Sequence, residues 1–297
     1  MEVGIGLPAT IPGVEREQLL EWARRAEARG FSSLGTIDRL VYANYEPLIA
    51  LAAAAAVTER IRLATTIMIA PYRANGALVA KQAATLDNLS NGRLVLGVAV
   101  GAREDDYEAS GVDIHSRGRL FEAMLGEWKR IWAGESFGTA GAIGPRPSNG
   151  GPTLIIGGTA DAAFERAARY GDGWIMGGGA PDQFKDGVTK LEAAWQAAGR
   201  KGAPRKLSLA YFSLGTGAEQ AADRYLRDYY AWLGEYAGMI ADSAATDADT
   251  VNGYVQGFAD AGCDELILFP SSPDPDQVDL LADALRSSGA LRAGAAT

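Results

Sequence analysis

Few side chains in this sequence suit acid–base or nucleophilic chemistry. It holds one histidine, His115, and one cysteine, Cys263. One histidine excludes a multi-histidine metal site and any mechanism that needs two. One cysteine excludes an internal disulfide and a cysteine-rich zinc site. No strand end carries the carboxylate pair of a glycosidase, a serine elbow or a Schiff-base lysine. Glycine stands out instead. Gly157-Gly158-Thr159 runs into a helical pattern, and Gly177-Gly178-Gly179 follows a short apolar run. The first suits an anion, because glycine admits close backbone approach and a helix start presents N–H groups. Equally, the glycines only turn the chain and Thr159 caps the helix. The triplet either shapes the same ligand site or is a flexible turn. Asp38 beside Arg39, with Tyr42 nearby, and the pair Thr65-Thr66 inside an apolar run complete the candidates. The threonine hydroxyls need partners if buried. His115 reads as a capping or solvent-facing residue. With so few strong acid–base groups, an enzyme of this kind relies on a cofactor for hard chemistry.

The elements that must position these residues follow a regular rhythm. Short aliphatic runs at 3–7, 31–36, 62–70, 94–100, 153–156, 173–176, 206–214 and 265–269 read as strands. They are apolar on both faces, as a buried parallel sheet requires. Between them lie amphipathic helical patterns, such as 15–29, 117–133 and 181–198. Residues 217–261 read as two helices with a polar break at 242–249. The Gly- and Pro-rich stretch 134–151 reads as a long loop, inserted between two units rather than between two cores. Eight strand–helix units predict a single (β/α)8 TIM barrel with loop insertions over 1–297, in preference to an open doubly wound sheet. In such a barrel the site lies at the C-terminal strand ends. The second strand then delivers Asp38 and Tyr42, and the third Tyr72 and Arg73, with Thr65 and Thr66 deeper. The fourth delivers Val100, Gly101 and Arg103. Gly157, Gly158 and Thr159 follow the fifth, and Gly177 and Gly178 the sixth.

Composition narrows the partners. A net charge of −9 and no recurrent basic patch argue against nucleic acid. The longest apolar stretch, 48–57, is too short to span a bilayer, so no membrane association is expected. The N-terminus lacks the basic and apolar regions of a signal peptide, which predicts the cytoplasm.

Several stretches together resemble the bacterial luciferase-like superfamily of flavin- and deazaflavin-dependent oxidoreductases. They are EPLIALAAAAAVTERIRLATTIMIAP, LVAKQAATLDNLSNGRLVLGVAVG, SRGRLFEAMLGEWKRIW and PTLIIGGTADAAFERAARYGDGWIMGG. The resemblance implies a (β/α)8 barrel with insertions. It implies a cofactor over the third strand, whose bulge carries a cis peptide in many relatives, here Thr66-Ile67. It places Val100 and Gly101 beside that cofactor, Gly157, Gly158 and Thr159 on its phosphate, and Gly177 and Gly178 nearby. Arg117 and Arg119 match a recurrent Arg-Gly-Arg pattern that in some relatives helps hold the FMN phosphate. Many relatives carry a histidine after the second strand; this chain has Asp38-Arg39, so Asp38, Tyr42 or Tyr45 is the expected proton donor.

Relatives that use FMN often have an arginine where Val100 stands, which leans toward coenzyme F420. The expected activity is hydride transfer between reduced F420 and a small organic substrate. The rival is an FMN-dependent monooxygenase using reduced flavin and oxygen, followed by a flavin-binding barrel without turnover. A sugar-phosphate barrel enzyme is disfavoured by Thr65-Thr66 and the Arg-Gly-Arg helix. No metal is expected. The substrate pocket is expected from loops 38–46, 102–116 and 134–151, the last covering the site, and Tyr42, Tyr45 and Tyr107 hint at an aromatic or bulky organic ligand. The resemblance also implies a homodimer.

Overall fold

The apolar runs become eight strands: β1 (Glu2–Gly6), β2 (Ser33–Thr36), β3 (Arg62–Ile69), β4 (Leu94–Ala99), β5 (Thr153–Gly157), β6 (Gly173–Met176), β7 (Arg205–Phe212) and β8 (Glu265–Pro270). All neighbours pair in parallel, and β8 pairs with β1, which closes the barrel. The computed structural model describes residues 1–291. The helices are α1 (Arg16–Arg29), α2 (Pro47–Ala55), α3 (Gly76–Leu89), α4 (Glu104–Ser110), α5 (Arg117–Trp132), α6 (Asp161–Tyr170), α7 (Pro181–Ala197), α8 (Ala218–Tyr229), α9 (Tyr236–Asp242), α10 (Ala248–Asp260) and α11 (Asp276–Ser287). None of the described helices is long and apolar enough to cross a membrane.

Alternation along the strands splits the core in two. Ala64, Val95, Ile155, Ile175, Leu207 and Ile267 cluster in the barrel interior. Their neighbours Leu63, Leu96, Ile156, Trp174, Leu266 and Leu268 pack outward against the helices. On that outer side Phe164, Trp174, Phe184 and Phe258 form a row, with successive ring centroids 5.3, 5.4 and 5.6 Å apart.

Three sequence expectations need correction. Residues 104–110 form α4, where only charged, mixed chain was expected; its Glu-Asp-Asp first turn suits a helix N-terminus. Residues 217–261 hold three helices rather than two, because Gly234 at φ 58° breaks the aromatic run after Tyr229. The 134–151 loop does not cover the strand ends. It leads into β5, so it lies toward the opposite pole. There Asp87 and Asn88 at the end of α3 fasten it, accepting from Ser148 N–H at 2.7 Å and donating to the Arg146 carbonyl at 2.6 Å.

That opposite pole is held by a buried carboxylate. Glu265 accepts from the Ser32 and Ser33 hydroxyls at 2.6 and 2.7 Å and pairs with Arg62 at 3.2 Å and with Arg205. Burial alone would raise its pKa; the two guanidiniums and the two hydroxyls outweigh it and hold the carboxyl below its ordinary value. Glu265→Gln removes the buried carboxylate that Arg62 and Arg205 share and leaves them only the half-exposed Glu2. Chemical denaturation is expected to show a loss of about 3–5 kcal/mol. Because the folded carboxyl has the lower pKa, its contribution is complete above the unfolded value and vanishes as pH falls through the folded one. The wild-type advantage over the variant should therefore shrink on acidification.

Candidate active site

The site is built on an irregularity in β3. Thr65 pairs with Leu96 and Met68 with Val98, so Thr66 and Ile67 together face one β4 residue, Gly97. This is a β-bulge, which turns a strand and re-aims its side chains. It forms without the expected cis bond at Thr66-Ile67: among the described residues the cis peptide is Gly144–Pro145. The extra residue alone displaces the chain. Gly97 makes the bulge possible, since a Cβ there would lie 2.1 Å from the Thr65 carbonyl oxygen. Both threonines are buried with their hydroxyls engaged. Thr65 donates to the Gly97 carbonyl at 2.7 Å, and Thr66 to the Thr36 carbonyl at 3.3 Å.

The bulge sends Ile67 across the barrel mouth toward β5 and β6. A Cβ on Gly157 would lie 2.5 Å from Ile67 Cδ1, and one on Gly177 3.3 Å from it. Ile67 forms the floor of a cavity of about 200 Å³, bordered also by Asp38, Thr66, Gly101, Arg103, Gly177 and a set of aromatic rings. An apolar cavity of about 760 Å³ adjoins it, and the two share Gly177, Leu209, Tyr211 and Tyr230. Gly178 borders the larger one, and a Cβ there would meet no atom within 4 Å.

The predicted residues do not all converge. Asp38, Thr66, Ile67, Gly101 and Gly177 line the smaller cavity. Thr65 lies beneath it. Val100 packs on the core, and its carbonyl takes the Tyr107 hydroxyl. Gly158 and Thr159 stand at the start of α6, outside the cavity walls. Thr159 is exposed, and the capping position is Ala160, whose side chain makes no capping bond. Tyr42 also stands outside, with its hydroxyl on Asp228 and its ring edge-on to Tyr229 at 5.2 Å. His115 is exposed, and Arg117 donates to the Ile114 carbonyl at 2.7 Å.

Asp38 is buried and accepts at Oδ2 from the Ile69 N–H at 2.9 Å and from Arg73 at 3.1 Å. Arg73 also pairs with Glu46 at 2.7 Å. Tyr72 is pushed well above the ordinary phenol value by burial, reinforced by the Asp38 carboxylate. Tyr107, Tyr211, Tyr229 and Tyr230 are raised chiefly by burial as well. These phenols therefore stay protonated and act as hydrogen-bond donors, not bases.

The roof is the α8–α9 hairpin. It leaves β7, crosses the mouth and returns at Ala245, which bridges to Phe212. Ala222, Tyr225, Leu226 and Tyr229 form the inward face of α8 at helical spacing. Tyr225 bonds Thr10 at 2.7 Å, Tyr230 bonds Tyr211 at 2.7 Å, and Arg39 donates to the Tyr229 carbonyl at 3.0 Å. Asp106, Tyr211, Tyr229, Tyr230 and Trp232 also line the smaller cavity, with no sequence expectation attached to them. The run Tyr229-Tyr230-Ala231-Trp232 was the available signal, since adjacent aromatics cannot all face one side of a helix.

Comparisons agree with this architecture. A family profile described as luciferase-like monooxygenase matches residues 1–288. An uncharacterized protein of Mycobacterium tuberculosis is 32% identical over 208 residues, covering 60% of this chain and 71% of that protein. A second uncharacterized protein from that organism is 33% identical over 174 residues, covering 55% and 61%. Among solved structures, an F420-dependent secondary alcohol dehydrogenase in complex with an F420-acetone adduct superposes with a TM-score of 0.81 at 20% identity, covering 98% of this chain and 99% of that one. The monooxygenase RslO1 from Streptomyces bottropensis gives 0.76 at 23%, covering 97% and 99%. The coenzyme F420 dependent tetrahydromethanopterin reductase from Methanopyrus kandleri gives 0.72 at 17%, covering 96% and 98%. At these identities the structural likeness is one of fold.

Gly97→Ala tests the bulge. The added methyl group collides with backbone, so the strand must shift, at a cost of about 1–3 kcal/mol or more. Denaturation should show that loss, and ligand binding at the mouth should fall with it. A variant of native stability and native ligand binding would mean that the bulge does not shape the site.

Proposed function

The chain belongs to the luciferase-like monooxygenase family, and from that premise we propose that it is an oxidoreductase moving a hydride between reduced coenzyme F420 and a small organic substrate. The observation that carries this reading is the pair of adjoining cavities at the barrel mouth, the smaller of them over the Thr66–Ile67 bulge. A reaction between a large planar cofactor and a second molecule needs two contiguous compartments. Gly178 leaves open space that a Cβ would enter, and at Gly177 a Cβ would crowd Ile67 Cδ1 at 3.3 Å, so the residues fit a bulky group lying against the strand ends. Its phosphate would be held at Gly157, Gly158 and Thr159, where α6 starts without a side-chain cap. The ring would lie in the larger cavity, and Val100 and Gly101 from β4 with Thr65, Thr66 and Ile67 from β3 would form the ledge on which it meets a substrate in the smaller one.

The cofactor supplies the hydride when bound. The chain binds both partners, excludes water and manages the proton. Asp38 and Tyr72 are the groups for the last task. Tyr72 keeps its proton and borders the cavity beside Asp38, while Arg73 compensates the carboxylate. Tyr42 serves the reading as part of the roof, through Asp228 and Tyr229. Asp38→Asn keeps an acceptor for Ile69 N–H but removes the charge opposite Arg73. A fall in kcat of at least tenfold is expected, and unchanged turnover would remove Asp38 from the proton path.

An FMN-dependent monooxygenase is the second reading. The apolar, ring-lined enclosure favours it, since such chemistry needs water kept out. A valine in place of a cation at position 100 favours F420. Anaerobic titration of the protein with F420 and with FMN, read by absorbance and by the mass of any cofactor retained on purification, separates the two. Tight binding of F420 is the expected result; tight binding of FMN alone would overturn the first reading in favour of the second. We further propose that the protein acts as a homodimer in the cytoplasm.

A further inference from the structure

Three arginines stand around the barrel mouth, and their partners differ. Arg73 pairs with Asp38 and Glu46, and Arg39 pairs with Asp105 at 3.1 Å. Arg103 borders the smaller cavity and, among the described residues, has no carboxylate within 4.0 Å. Its guanidinium is held instead by ring faces, 4.9 Å from the Tyr229 centroid and 5.2 Å from that of Trp232. Nη1 donates to the Asp38 carbonyl at 3.3 Å. Two carboxylates share the cavity wall, and both are committed elsewhere. Asp38 is taken by Arg73, and Asp106 Oδ1 accepts from the Leu40 and Val41 N–H groups at 3.0 and 2.7 Å. A partly desolvated cation without a contact counter-ion is unfavourable until a ligand supplies one.

We propose that Arg103 anchors a carboxylate carried by an aromatic substrate. The inference rests on reading the smaller cavity as the substrate compartment. A guanidinium fork matches a carboxylate in shape and charge. An aromatic body follows from the walls, where Tyr72, Tyr107, Tyr211 and Tyr230 surround the open volume. About 200 Å³ is the scale of one substituted ring, given that a dry cavity of about 150 Å³ accepts benzene. The Tyr229 and Trp232 faces are already occupied by Arg103, which argues against an aromatic cage for a cationic ligand.

The test is calorimetric titration of the protein with no cofactor added, using benzoate, benzamide and benzylamine as probes. Benzoate should bind, at least tenfold more tightly than either neutral benzamide or cationic benzylamine, and should weaken with added sodium chloride. Arg103→Met, which keeps an apolar stem, should lose at least tenfold in benzoate affinity. Arg103→Lys, which keeps the charge without the fork, should fall between. Melting curves check folding; if the Met variant is unfolded, Arg103→Gln and Arg103→Lys carry the comparison. Absent benzoate binding, equal binding of benzamide or benzylamine, or an unchanged variant would each overturn the proposal. Titration of the folded variant with F420 and FMN should match wild type; a loss there would overturn it too, by making Arg103 a cofactor anchor. If the protein binds neither cofactor, the cofactor reading fails while the benzoate result stands on its own.

Discussion

Two residues of β3 must fit opposite one residue of β4, and much of the barrel mouth follows from that mismatch. Thr66 and Ile67 face Gly97, where the Thr65 carbonyl leaves no room for a side chain. The displaced strand presents Ile67 to the far wall, and that wall is glycine at the two nearest positions, Gly157 and Gly177. The threonine hydroxyls, which would be unfavourable in an apolar interior, are absorbed by the carbonyls of Gly97 and Thr36. Glycines in β4, at the end of β5 and just after β6, and the hydroxyls on β3, thus answer to one local irregularity.

The two poles of the barrel solve opposite electrostatic problems. At the N-terminal pole, Glu265 concentrates charge among Arg62, Arg205, Ser32 and Ser33, in contacts that are filled and local to strand ends. At the C-terminal pole five protonated phenols line the smaller cavity, and the charged groups on its wall are Asp38 (paired with Arg73), Asp106 and Arg103. One pole pairs its buried carboxylate with two guanidiniums and two hydroxyls. The other keeps donors and a guanidinium available, as a site that must accept a ligand requires.

What the sequence disclosed tracks how local each signal is. Strands and most helices lie within about two residues of their expected ends, because periodicity and caps are short-range properties. The strand-end rule puts Asp38, Thr66, Gly101 and Gly177 at one mouth, where they line the same cavity, since chain order alone fixes which end of a strand they occupy. Contacts across the mouth were not legible. Whether Tyr42 meets substrate or Asp228 depends on where α8 lands, nearly two hundred residues later. The composition of the 134–151 segment marks it as a loop but does not say which pole it serves. Its position just before β5 does, because a chain entering a parallel strand must approach from the N-terminal side.

The roof has an architectural consequence. Its two ends are neighbours: Ser213 N–H donates to the Ala245 carbonyl at 2.9 Å, and Ala245 N–H donates to the Tyr211 carbonyl at 2.9 Å. The intervening excursion thus begins and ends on one rung of hydrogen bonds and adds no strand to the barrel. A segment of different length or composition, given the same two endpoints, would leave the eight-stranded ladder and the bulge as they are. Tyr225, Tyr229, Tyr230 and Trp232 would be exchanged wholesale. Ligand choice is in this sense a detachable module, and the barrel beneath it a socket indifferent to which roof is fitted.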